Sequence, residues 1–104
     1  MTKEISSKSE FEAAIKEGTV LVDFYADWCM PCVMMAPVID EMDSRFKGKV
    51  KFAKINVDEN EDIAQRFGVM SIPNFVVFKD GKMIGQIVGG MSEDDFENKL
   101  KKFV

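Results

Sequence analysis

Residues 23–32 read DFYADWCMPC. The segment completes an apolar run, VLVDFYA at 20–26, with an acid in its middle, and it ends in the only two cysteines of the 104-residue chain. Branched and aromatic side chains in near-unbroken succession predict a strand buried on both faces. Such a strand belongs in a sheet with helices packed on either side. The fold therefore turns on whether the chain beyond the cysteines becomes a helix that crosses back over the sheet.

It has the pattern of one. Residues 32–48, CVMMAPVIDEMDSRFKG, place Cys32, Met35, Ala36, Ile39, Met42 and Phe46 at helical spacing, and Lys47 and Gly48 close the segment. Pro37 lies inside it and predicts a kink. A second buried strand follows at 50–58, VKFAKINVD. Residues 59–68, ENEDIAQRFG, carry acids at the front and glycine behind, the signature of a short helix. In NFVVFKDGKMIGQIV at 74–88, two apolar runs flank Asp80-Gly81, a hairpin with a type I′ turn. Ser92 caps a last helix, EDDFENKLKKF, with Phe96, Leu100 and Phe103 on one face. Upstream of residue 20, Ser7 and Glu10 form a capping box for a helix bearing Phe11, Ala14 and Ile15 and ending at Gly18.

Strands alternating with helices imply parallel crossovers, and the final hairpin must add antiparallel strands. The expectation is an α/β fold with a mixed central sheet of four to five strands, flanked by about four helices. The whole chain, 1–104, is read as one domain. Net charge is −4 with both signs interspersed, so there is no basic footprint for nucleic acid or an anionic membrane. No apolar run approaches the ~20 residues that span a bilayer. The first ten residues, MTKEISSKSE, hold no apolar signal stretch, so a cytoplasmic location is expected. The absence of histidine excludes Cys-His pairs, Ser-His-Asp triads and histidine-containing metal sites.

The cysteines admit four readings. A structural disulfide over so short a loop contributes only roughly 2 kcal/mol, and such bonds are rare in the cytoplasm. Half a zinc or iron–sulfur site has the right spacing but only two soft ligands, so it needs a dimer or partner. Two inert core thiols fit poorly with Trp28 and Pro31 at an element junction. The fourth reading is redox chemistry. A Cys29 at the start of a helix faces unpaired N–H groups and the positive end of the dipole, which favours thiolate. Cys32, one turn on and on the apolar face, is expected to be less exposed and protonated. One thiol then attacks and the other resolves.

With WCMPC at 28–32, the sequence resembles the thioredoxin family over nearly its full length. Three further stretches match in order: MMAPVIDE with its helical proline, AKINVDEN with a lysine, and GVMSIPNFVVFKDGK with a proline before the hairpin. The resemblance implies a thioredoxin fold and a thiol–disulfide oxidoreductase that reduces protein disulfides. It implies Cys29 as nucleophile, Cys32 as resolving thiol, Asp23 as buried proton acceptor, Lys54 as its neighbour and Pro73 as a cis proline. Trp28, Met30, Pro31, Met70, Ile72 and Gly89 are the expected substrate-binding residues. No bound cofactor is expected beyond the cysteine pair. Expected partners are disulfide-containing proteins and a separate reductase, by resemblance a flavoenzyme. Met30, Val33, Tyr25 and Asn74 depart from the family's usual glycine, lysine, tryptophan and threonine.

Asp23 stands out without the resemblance. An ionised carboxylate within a sheet costs several kcal/mol unless paired. It is either a solvated edge residue or a buried acid of raised pKa able to take the Cys32 proton. Lys54, in another apolar strand, is either its charge partner or a plain exposed lysine. A cis Ile72–Pro73 bond would free the Ile72 backbone for strand-like pairing with a substrate. Met30, Met70 and Met91 are expected near Cys29 as a soft docking surface, with Met91 also suited to a hydrophobic staple with Phe96. The rival class is a binding module that uses the cysteines for metal at a dimer interface or for docking alone; a disulfide isomerase or oxidase is a further alternative.

Overall fold

The computed structural model describes residues 2–104. Along the chain lie β1 (Lys3–Ile5), α1 (Lys8–Ile15), β2 (Thr19–Tyr25), α2 (Met30–Arg45), β3 (Lys51–Asn56), α3 (Glu61–Arg66), β4 (Asn74–Lys79), β5 (Lys82–Val88) and α4 (Glu93–Leu100), with a 3₁₀ turn over Lys101–Phe103. The strands form a single mixed sheet in the order β1-β3-β2-β4-β5. Strand β3 runs parallel to both β1 and β2, while β4 is antiparallel to β2 and β5. This is the mixed sheet anticipated above, with the DFY-containing strand β2 at its centre. The strand that sequence patterning missed is β1. It has three residues and buries only Ile5, too short for alternation to register.

Alternation along β2 sorts the core into two layers. Val20, Val22 and Phe24 pack with Phe11 and Ile15 of α1 and Ile63 and Ala64 of α3. Leu21 packs on the opposite face with Met35, Ile39 and Met42 of α2 and Phe96 and Leu100 of α4. Asp23 shares the Leu21 face by the same alternation, and so points to the side that α2 covers.

Local chemistry fixes the ends of the elements. The Ser7 hydroxyl accepts from the Glu10 amide, and Glu10 Oε1 accepts in return from the Ser6 amide. Ser92 caps α4 through the Asp95 amide. Asp80 and Gly81 both adopt positive φ (50° and 87°), as a type I′ hairpin turn requires. Helix α2 runs without a break through Pro37, which lacks the N–H that would have bonded to the Val33 carbonyl. Ala36, expected on the apolar face of this helix, is exposed. It borders the cavity above Asp23 instead of the core.

Candidate active site

Ala26, Cys29, Pro31 and Cys32 set the junction between β2 and α2. The Cys29 amide donates to the Ala26 carbonyl at 3.2 Å, folding the chain back as it leaves the sheet. Cys29 then occupies the N-cap of α2 with extended dihedrals (φ −88°, ψ 103°). Its sulfur takes the place of the usual capping oxygen, accepting from the Cys32 amide at 3.3 Å. Pro31 falls in the first helical turn, where a missing N–H costs nothing. Cys29 and Cys32 are joined as a disulfide, with Cα atoms 5.2 Å apart.

The expected difference in exposure between the cysteines is absent. Cys29 is 4% exposed and Cys32 6%, because the disulfide tucks both sulfurs into a small cluster with Ala26, Tyr25, Val57 and Ile72. What separates them is surroundings. Cys29 meets backbone N–H at the helix start. Cys32 borders a cavity of about 220 Å³ that it shares with Asp23, Tyr25, Ala26, Asp27, Val33, Ala36 and Lys54.

Asp23 is buried, and its Oδ1 has no hydrogen-bond partner among the described residues. Burial pushes its pKa up from an ordinary 3.8 to about 7; Lys54 opposes the shift and Glu4 adds to it. Of the two readings of this residue, the solvated edge carboxylate is therefore the one the structure rules out. Lys54 is the register partner of Asp23 on β3, and Glu4 is the register partner of Lys54 on β1. The Lys54 ammonium lies 3.8 Å from Glu4 Oε1 and 5.5 Å from the centre of the Tyr25 ring. It is half-buried, neither a plain surface lysine nor a partner held by Asp23 alone.

Ile72 packs against the cysteine cluster, and the Ile72–Pro73 bond is cis. The Pro73 carbonyl accepts from the Gly89 amide at 2.9 Å, with Gly89 at positive φ (95°). Trp28 is exposed, and its indole N–H donates to Asp58 Oδ2 at 2.8 Å, which fixes the ring beside the cysteines. Met30 and Pro31 open a wide groove of about 560 Å³ completed by Met34, Met35, Gly90 and Met91. Of the three methionines expected near Cys29, Met30 and Met91 line this groove. Met70 does not, and stands 95% exposed next to the loop of Ile72. Met91 also packs on the core layer that contains Phe96, as a staple would.

Glu4 and Asp58 escaped the sequence reading, as did Met34 and Gly90 on the groove. Glu4 and Asp58 reach the site through strand register and a long-range hydrogen bond, neither of which leaves a local pattern. Met34 had a signal: it lies beside Met35 but off the apolar face of α2. Among the described residues there is no cluster of three or more acidic, cysteine or histidine side chains able to hold a metal ion. No described helix is long and apolar enough to cross a membrane.

A helix N-capped by one cysteine of a C-x-x-C pair, set at the end of a central strand in a mixed five-stranded sheet, defines a thiol–disulfide exchange protein. Comparison with known proteins agrees with that class. The thioredoxin family model matches residues 2–102. The chain is 40% identical over 104 residues to thioredoxin from a Synechocystis species, covering 99% of this chain and 97% of that one. It is 42% identical over 97 residues to Bacillus subtilis thioredoxin, covering 93% of each. Among solved structures, mitochondrial thioredoxin 3 of Saccharomyces cerevisiae in its oxidised form superposes with a TM-score of 0.87 at 36% identity, covering 97% of this chain and 94% of the other. The chain belongs to the thioredoxin family, and it is a thiol–disulfide oxidoreductase with Cys29 and Cys32 as its redox pair.

Proposed function

We propose that this oxidoreductase works as a reductant of protein disulfides, with Cys29 as nucleophile and Asp23 as the base that frees Cys32. The observation that carries the reading is the shared cavity: the resolving cysteine and a buried acid of raised pKa line one small space. In the reduced protein the Cys29 thiolate attacks one sulfur of a substrate disulfide. A Cys29–substrate bond forms, the substrate S–S bond breaks, and the other substrate sulfur leaves as a thiolate. Asp23 then takes the proton of Cys32. The Cys32 thiolate attacks Cys29 Sγ, closes the intramolecular disulfide and expels the second substrate thiolate. Two electrons pass from the dithiol to the substrate, so the cysteine pair is the only redox group the cycle uses.

Trp28, Met30, Pro31, Met70, Ile72 and Gly89 form the substrate-binding surface, with Met30 and Pro31 on the groove, Ile72 packed beside the cysteines and Met70 outside the groove. Ile72 precedes the cis proline, and its N–H and C=O make no hydrogen bond to the described residues. Both groups are therefore free to pair with an extended segment of the substrate. A separate reductase, of the flavoenzyme type, returns the disulfide to the dithiol. Chain 1–104 acts as one domain in the cytoplasm, where a catalytic rather than a structural disulfide is the rule. The reducing direction rests on Met30, which places no positive charge between the cysteines to hold a thiolate and so favour the reduced form.

Reduction of insulin by dithiothreitol, with and without the protein, tests the reading. Catalysis that is lost in Cys29→Ser supports it. A rate equal to the uncatalysed one would leave the binding module, whether for metal at a dimer interface or for docking.

A further inference from the structure

Strand register draws a line of side chains across the sheet on the face that α2 covers: Glu4 on β1, Lys54 on β3, Asp23 on β2 and Phe75 on β4. The line reads acid, base, acid, apolar. A single ammonium stands between two carboxylates, and the geometry shows how its position is set. Tyr25 lies two residues beyond Asp23 on the same face of β2, and its hydroxyl donates to Glu4 Oε1 at 2.7 Å. The same oxygen lies 3.8 Å from Lys54 Nζ. The ammonium also sits 5.5 Å from the Tyr25 ring centre, within cation–π range. Lys54 is thus drawn outward by a carboxylate and a ring that are tied to each other. Asp23 Oδ1 has no hydrogen-bond partner among the described residues, and no Lys54–Asp23 ion pair forms.

We propose that Glu4 is a positioning residue for the resolving step: by holding Lys54 at the outer rim of the cavity, with Tyr25 as its anchor, it keeps the ammonium from capturing Asp23 and leaves that carboxylate strong enough as a base to take the Cys32 proton. This rests on the reading of Asp23 as the proton acceptor. The chemistry follows from what a close ion pair would do. A carboxylate paired directly with an ammonium is a weak base, since the pairing favours its charged form. Sharing Lys54 with Glu4 removes part of that stabilisation and retains only enough to let Asp23 ionise near neutrality. The direction matches the electrostatics of the buried acid, on which burial acts first, Lys54 opposes and Glu4 reinforces.

Among the described residues, the other charged or titratable groups facing Asp23 are few. Cys32 and Asp27 border the 220 Å³ cavity. Asp40 of α2 borders a smaller one of about 100 Å³ with Asp23, Lys54 and Thr2. From β4 the register neighbour is Phe75, which is uncharged. Among the described residues Lys54 is the one cation in either cavity lining, so its placement bears most directly on Asp23. Glu4 is exposed on an edge strand, so its substitution leaves the core intact.

Stopped-flow reaction of the reduced protein with 5,5′-dithiobis(2-nitrobenzoate) separates the two steps. Attack by Cys29 releases one coloured thiolate, and resolution by Cys32 releases the second. The resolution rate as a function of pH is the readout. Glu4→Gln is expected to move the midpoint of the Asp23-dependent limb to lower pH by about half a unit, with the attack step unchanged. Glu4→Asp, which keeps the charge, is expected to shift it less. In a Lys54→Met background, Glu4→Gln is expected to shift the limb by less than half as much, because the cation through which it acts is gone. An unshifted limb in Glu4→Gln, or an equal shift with and without Lys54, overturns the proposal. Asp23→Asn is the control. If it keeps the wild-type limb, the assignment of Asp23 as base fails, and this inference fails with it.

Discussion

The main-chain N–H of Cys32 points at the sulfur of Cys29, 3.3 Å away, so the thiol that would attack is also the N-cap of the helix that carries the other. Replacing Cys29 therefore has two effects that can be separated. Serine removes the nucleophile but keeps a good cap; alanine removes both. Compared with the reduced wild type, Cys29→Ser is expected to fold with stability within about 1 kcal/mol, and Cys29→Ala to be roughly 1 kcal/mol less stable than the serine variant. Both are expected to be inactive. Cys32→Ser is expected to attack and then stall, accumulating a mixed disulfide through Cys29. Urea unfolding and mass mapping of trapped adducts check the three variants. Adducts found on Cys32 in Cys29→Ser would reverse the assignment of roles.

Asp23 predicts an unusual pH dependence of stability. Its pKa is about 7 in the folded protein against 3.8 ordinarily, so between those values the native state holds more protons than the unfolded one. Its contribution is most favourable below pH ~4 and is lost as pH rises to ~7. The full loss is on the order of 4 kcal/mol, from a shift of about three units. Asp23→Asn carries no such titration. Its stability relative to wild type is expected to climb from pH 4 to 7 and to level off above, while resolution of mixed disulfides slows. Denaturant melts of both oxidised proteins across that range decide it, and a constant difference would mean that the folded carboxyl titrates normally.

Asp23 and the cysteine pair were legible in the sequence for different reasons. Asp23 interrupts an otherwise apolar run, which marked it as either a solvated edge residue or a buried acid, and its burial in the central strand selects the second. The cysteines sit where a period of two changes to one of 3.6, which places them at a helix start before any coordinates are known. The hairpin declared itself through Asp80-Gly81. What was not legible depends on non-local register. Nothing in KEI at 3–5 says that it pairs with β3, yet that pairing brings Glu4 to Lys54. The near-equal burial of the cysteines was missed because it follows from packing by Val57 and Ile72, distant in sequence. Ala36 faces a cavity instead of the core because the sheet beneath it presents Asp23 and Lys54, which helical spacing alone does not show.

Gly85 and Phe103 offer a test of packing far from the cysteines. Gly85 lies in β5 opposite Val77, next to the register shift at Val77 and Phe78. The Phe103 ring covers it so closely that a Cβ added there would overlap the ring edge. Glycine in a strand normally costs stability relative to alanine, but here the ring occupies the space a side chain would need. Gly85→Ala is expected to destabilise by about 1–3 kcal/mol as the ring is displaced. In a Phe103→Ala background the same change is expected to cost less than ~0.5 kcal/mol or to stabilise. A double-mutant cycle in urea measures the coupling. Equal costs in both backgrounds would show that the ring moves aside freely.

Met30 is the position through which the reducing direction can be tested most directly. It is the first residue of α2, lies between the two cysteines and is 65% exposed. It brings bulk and polarizability to the groove but no charge. Met30→His would set a partly protonated imidazole close to Cys29. If that charge stabilised the Cys29 thiolate by about 1.4 kcal/mol, and the dithiol form took all of the gain, the potential would rise by roughly 30 mV. Solvent screening at so exposed a site makes this the upper end, and a rise of about 10–30 mV is expected. Met30→Gly removes bulk without adding charge, so its potential is expected to move less while the Michaelis constant for insulin rises. Equilibration of all three proteins against glutathione gives the potentials. A histidine variant that is unchanged or more reducing would show that charge at position 30 does not set the direction of electron flow, and the case for a reductase over an oxidase would have to rest on other residues.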